Sequence, residues 1–146
     1  IYDKISMAVL QMMKNSMDHG LENTTLREQM GKTPVGEISV QIQKAGQRVF
    51  VVFRDDGRGL DKHSILQLAH EKGLLKKPEE EYHDSEIFAF LLRPGFTTKS
   101  SATMFSGRGV GLGVVNAAVS SLGGTIRIES REYMGTTFFM EFPVIV

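Results

Sequence analysis

Gln11 and Asn15 stand four residues apart in a stretch of helical periodicity, so they share one helix face. The amide oxygen of an Asn placed there is a hard ligand suited to Mg²⁺, with phosphate and water filling the remaining positions. Asp55-Asp56-Gly57-Arg58-Gly59 follows a β-rich run. A carboxylate at a strand end accepts a hydrogen bond from an amino group such as that of adenine, and glycines let a planar base approach the backbone. Ser106-Gly107-Arg108-Gly109-Val110-Gly111 precedes a helical pattern. Backbone N–H groups and the positive end of a helix dipole face phosphates at such a place. Gly123-Gly124-Thr125 and Gly135-Thr136-Thr137 bracket the last pair of strand-like segments. Taken singly, each feature also fits plain structure: a solvated helix face, a tight turn, a glycine-rich loop. Their order along one chain is what sets them apart.

The elements that must position these residues follow from hydrophobic periodicity. Ile5, Ala8, Val9, Met12, Ser16 and Met17 recur at helical spacing, with Asp3 as a candidate N-cap and Gly20 as a stop. From Gly36 the pattern alternates through Ile38, Val40 and Ile42, turns at Lys44 to Gln47, and returns through Val49 to Phe53, which predicts a β-hairpin. Residues 61–73 and 84–92 carry short helical patterns, whereas 93–107 hold Pro, Gly, Ser, Thr and Lys without period, as lids and binding loops do. Val115, Ala118, Val119 and Leu122 describe another helix before a terminal hairpin at Thr125 to Ser130 and Thr136 to Phe142. The order α, ββ, αα, lid, α, ββ predicts an α/β (α+β) two-layer sandwich: a mixed, mostly antiparallel sheet with helices on one face.

Composition narrows the chemistry. The 146 residues balance 17 Lys+Arg against 17 Asp+Glu and include no Cys. Length fits a single domain, 1–146, and zero net charge disfavours polyanion binding, so no nucleic acid and no direct membrane contact are expected. Without Cys there are no disulfides, thiolate zinc sites or cysteine nucleophiles. No apolar run approaches the roughly 20 residues that span a bilayer, which predicts a soluble, cytoplasmic domain. Ile1 leads straight into a helical pattern without an initiator Met, as expected of a piece of a longer protein.

Several motifs fail on spacing. Gly31-Lys32-Thr33 has Leu26 where a P-loop needs its first Gly, and Leu112 or Val114 falls where G-x-G-x-x-G needs its third. Asn23-Thr24-Thr25 lacks any secretory context, and the histidines at 19, 63, 70 and 83 form no His-Glu-x-x-His.

The surviving constellation resembles a known family. Asn15, Asp55 to Gly59, Pro94-Gly95-Phe96-Thr97-Thr98 and Ser106 to Gly111 resemble, in order, the N, first glycine, F and second glycine boxes of histidine-kinase ATP-binding domains. Lys14 to Glu22, Gly31-Lys32, Glu71-Lys72-Gly73-Leu74 and Arg93 to Phe96 are most similar to the catalytic domain of the chemotaxis kinase CheA, along essentially the whole chain. The resemblance implies the Bergerat, or GHKL, fold, with ATP between sheet-covering helices and a flexible lid. It also implies transfer of the γ-phosphate to a histidine on a phosphoacceptor domain, in the same or a partner chain, and thence to a response regulator.

By that likeness Asn15 holds Mg²⁺ and is the catalytic residue, Asp55 recognises the adenine amino group, and Gly57 and Gly59 shape the base pocket. Gly107, Gly109 and Gly111 approach the phosphates, Thr136 supports the base end, His19 lies near the phosphates, and Lys72 is a weaker cationic candidate. The chain departs from the pattern at Gln11, where CheA has His and gyrase-like ATPases have a general-base Glu, at Gly113, where CheA has Asp, and at the apolar Met104-Phe105. Gln cannot be a general base. Transfer to a neutral imidazole needs less base assistance than hydrolysis does, so Gln11 weighs more against an ATPase than against a kinase. A nucleotide-responsive interaction module with lost catalysis is the alternative at this stage.

Overall fold

The computed structural model describes residues 2–97 and 111–144. Helix α1 (Tyr2–Asn15) leads into a π-helical turn (Ser16–Gly20), followed by α2 (Thr24–Gln29) and the hairpin β1 (Ile38–Ala45) and β2 (Arg48–Asp55). Helix α3 (Lys62–Glu71), a 3₁₀ turn (Glu79–Glu81) and α4 (Asp84–Phe90) come next. Helix α5 (Leu112–Ser121) and the hairpin β3 (Thr125–Arg131) and β4 (Gly135–Pro143) complete the described chain.

The four strands form one sheet in the order β1-β2-β4-β3, and every pairing is antiparallel. Both hairpins close through short turns, so the second docks beside the first through its β4 strand. Strand periodicity sets the layers. In β2, Val51, Phe53 and Asp55 are buried, and β4 answers with Met140, Phe138 and Thr136 directly opposite. Ile128 of β3 extends the same row, and Phe53 meets Phe138 edge to face at 6.1 Å.

The helices add Ala8 and Met12, Ile65, Leu66 and Leu68, Ile87, Phe88 and Phe90, and Leu112, Val115 and Val119 to one hydrophobic core on that face. Asp61 caps α3 by accepting from the Ser64 N–H at 3.3 Å and hydroxyl at 2.7 Å. The Glu86 carboxylate accepts the His83 N–H at 3.0 Å at the start of α4. Each cap satisfies donors that a helix start leaves open.

The structure bears out the two-layer sandwich and adds detail. The first helix is regular only to Asn15; beyond it the Leu21 N–H reaches back to the Ser16 carbonyl at 2.7 Å, an i to i+5 bond that widens the turn. Helix α2 is an element the periodicity did not announce. The segment read as a lid falls largely on residues 98–110, outside the described residues, together with Gly107 and Gly109.

Candidate functional site

Asp55 ends β2 on the core side of the sheet because it continues the alternating row of Val51 and Phe53. Its side chain is buried, 1% exposed, beside the equally buried Thr136 on the paired strand. A buried carboxylate requires donors. The Ser16 hydroxyl donates to Oδ2 at 2.7 Å and the Gly57 N–H donates to Oδ1 at 3.0 Å, which fixes the plane of the group. In the sequence Ser16 is one position of the helical pattern beside Asn15, and nothing there marks it as a partner of Asp55.

Thr136 lies 3.1 Å from the Ser130 hydroxyl across β3 and β4, and Ser130 Oγ also accepts the Leu60 N–H at 2.8 Å. Thr136 is thereby tied to the loop that leaves β2. Asn15, at the last position of α1, is buried and accepts from Gln11 Nε2 at 3.3 Å. Asn15 and Ser16 are consecutive, so one turn of backbone carries both the candidate metal ligand and the group that holds Asp55.

The loop after Asp55 is fastened from below by ion pairs. Arg27, 1% exposed on α2, donates through Nη1 to Glu22 at 3.1 Å, through Nη2 to Asp56 Oδ2 at 2.9 Å, and through Nε to the Thr33 carbonyl at 2.8 Å. Lys32 Nζ binds Glu22 at 2.6 Å and the carbonyls of Asp56 and Gly57 at 3.0 Å each. Partial burial pushes the Asp56 carboxyl up. The Glu37 N–H bond, the Arg27 bond and charge, and the Lys32 charge outweigh it and hold the group below its ordinary value of 3.8. Gly57 is required by packing: a Cβ there would stand 2.2 Å from the Gly20 carbonyl oxygen, so the loop and the π turn could not close together.

The remaining sequence candidates divide. Gly111 starts α5 beside Gln11, and Gly59 is buried against the β3–β4 turn. His19 is half-buried in the π turn that carries Ser16. Lys72 meets the segment after α4: its Nζ lies 3.5 Å from the Gly95 carbonyl and 5.9 Å from the centre of the Phe96 ring. Phe96 itself is a core anchor, buried and stacked on Phe90 at 5.9 Å. Among the described residues no group of three or more His, Asp or Glu could hold a metal, so a cation here would depend on Asn15 and on phosphate oxygens.

A small cavity of about 120 Å³ lined by Glu37, Ser39, Arg54, Asp55 and Asp56 opens at the end of β2. Larger hollows, about 680 and 540 Å³, flank the β3–β4 hairpin at α3 and α4, and neither Asn15 nor Asp55 lines them. The buried carboxylate with its fixed donors, not cavity size, marks the candidate site. No helix among the described residues is long and apolar enough to cross a membrane.

The family described as histidine kinase-, DNA gyrase B-, and HSP90-like ATPase matches residues 2–145. The chemotaxis protein CheA of Bacillus subtilis (strain 168) is 36% identical over 145 residues, covering 99% of this chain and 22% of the relative. CheA of Cereibacter sphaeroides is 37% identical over 144 residues, covering 99% and 21%. The gliding motility regulatory protein of Myxococcus xanthus is 34% identical over 137 residues, covering 93% and 18%. The chain thus spans about a fifth of the length of these curated relatives. Among solved structures, the nucleotide-free catalytic domain of histidine kinase ThkA superimposes with a TM-score of 0.57 at 21% identity, over 99% of this chain and 69% of that one, a likeness of fold.

Proposed function

The chain belongs to the histidine kinase-, DNA gyrase B-, and HSP90-like ATPase family, and from that premise we propose that it is the ATP-binding catalytic domain of a CheA-like protein histidine kinase. It transfers the γ-phosphate of ATP to a histidine on a phosphoacceptor domain, which in turn serves a response regulator, and it works in the cytoplasm. The observation that carries this reading is the buried Asp55 carboxylate, fixed by the Gly57 N–H and by the hydroxyl of Ser16, the residue that follows Asn15.

Asp55 accepts the exocyclic amino group of adenine and so selects ATP over GTP, because guanine presents a carbonyl oxygen where adenine has its donor. Thr136 and the Gly57–Gly59 loop border the base. Asn15 holds magnesium through its amide oxygen, and Gly111, the residue that opens α5, offers the phosphates a helix start, with Gly107 and Gly109 as further phosphate-binding candidates. When bound, the metal supplies positive charge against the phosphate oxygens. The domain positions the nucleotide and leaves the nucleophile to the acceptor imidazole, which is consistent with Gln11 standing where a hydrolase would need a base.

The test is transfer of label from [γ-³²P]ATP, with magnesium, to a supplied histidine-containing acceptor domain from a CheA relative. Acid-labile, alkali-stable label on the acceptor is the expected result, lost with Asn15→Ala. ATP binding without transfer to any acceptor would favour a nucleotide-responsive module, and no ATP binding would remove the reading altogether.

A further inference from the structure

Gln11 stands between Asn15 and the first residue of α5. Its Nε2 donates to Asn15 Oδ1 at 3.3 Å. The same nitrogen lies where a side chain on Gly111 would begin, 2.8 Å from a Cβ built there, and Gly111 holds φ +80° as the residue that opens α5. At the far end of the same pair of helices, Lys4 Nζ reaches Ser121 Oγ at 3.2 Å, so α1 and α5 run antiparallel and Gln11 is the tie at the Asn15 end.

We propose that Gln11 is a positioning residue for Asn15, selecting the amide orientation that ligates magnesium and thereby setting how strongly the metal enhances ATP binding. This rests on the reading of Asn15 as the magnesium ligand.

An Asn amide has two ends of nearly equal shape, and only the oxygen ligates a hard cation. Rotating the Asn15 amide alone by half a turn would bring its NH₂ against the Gln11 NH₂, donor against donor, so Gln11 favours the Asn15 oxygen as long as it presents Nε2. A carbonyl oxygen carries two lone pairs, and accepting one N–H is compatible with ligating a cation. Gln11 occupies the space that a side chain on Gly111 would need, which places its amide between Asn15 and the start of α5. The residue that lacks general-base chemistry thus acquires a role through its donor, which neither Glu nor Met at this position would supply.

The experiment is calorimetric titration of the 146-residue chain with ATP, first with EDTA and then with excess MgCl₂, for wild type, Gln11→Met and Gln11→Glu. Met keeps the length and removes the donor; Glu is an acceptor that pairs with Asn15 Nδ2 and turns the oxygen away. Both variants should keep metal-free ATP affinity within about twofold, while the magnesium-dependent gain falls by about tenfold or more, the scale of lost outer-shell partners.

A full wild-type gain in Gln11→Met would overturn the positioning role and leave the proposed function intact. Equal loss with and without magnesium would overturn it in favour of packing. A wild-type chain that gains nothing from magnesium would overturn both together.

Discussion

Replacing Arg27 with Met should lower stability by about 3 kcal/mol, and the figure follows from what each partner keeps. Met preserves much of the apolar stem and removes the guanidinium. Thr33 is exposed, so water recovers the bond to its carbonyl. Asp56 is 33% exposed and keeps the Glu37 N–H at 2.8 Å. The cost concentrates on Glu22, whose side chain is 1% exposed and retains only Lys32, at 2.6 Å, of its two cations. Removing one partner of a buried pair costs about 3–5 kcal/mol, and the surviving lysine places this case at the lower end. With a urea dependence of about 2 kcal/mol per molar, the unfolding midpoint should fall by about 1.5 M. Arg127→Met serves as control, since Arg127 and Glu129 pair at 57% and 61% exposure and such a pair contributes about 0–1 kcal/mol. Adding Glu22→Gln to Arg27→Met should restore part of the loss by removing the stranded charge. A decrease no larger than that of the control would refute the view that these ions hold the loop after Asp55.

Asp55→Asn keeps the shape and presents an NH₂ where the carboxylate oxygen stood; discrimination of ATP over GTP in competitive binding should fall by at least about tenfold, and unchanged discrimination would dissociate Asp55 from the base. Because the folded value for Asp56 is lowered, its contribution to stability is present above about pH 3.8 and is lost as pH falls through that lower value. Asp56→Asn should therefore flatten the acid limb of urea midpoints below about pH 4. Phe96→Ala empties a buried position stacked on Phe90 and should cost about 3–4 kcal/mol by thermal or urea unfolding.

The sheet was legible because a two-residue period carries both the core and the chemistry. Val51, Phe53, Met140 and Phe138 read as strand interior, and the same alternation sends Asp55 and Thr136 inward. The residue types and order of Asn15, Asp55 and the glycines suggested the site; the family likeness supplied their roles. Helix α2 was not legible, because six mostly exposed residues offer no apolar stripe. What it buries is Arg27, and its partners at Glu22, Thr33 and Asp56 are scattered along the chain. The π turn was hidden for the opposite reason: the helical spacing runs on through Ser16 and Met17, and periodicity does not distinguish an i to i+5 bond from a regular one. The core position of Phe96 likewise depends on a ring from another element, Phe90.

The pairing of Asp55 with Thr136 has a consequence for how such a chain tolerates genetic change. Both belong to the rows that hold β2 against β4, and a slip of one residue reverses the face of every side chain in the slipped strand. A single-codon deletion within either strand would therefore turn the apolar row outward along with the polar pair, and the product would fail to fold. Point substitutions at these two positions are the opposite case, leaving the apolar rows in place. Variation in what the site recognises is accordingly open to replacement and closed to insertion or deletion in the paired strands, whereas the exposed β1–β2 turn around Gly46 can change length without moving either residue.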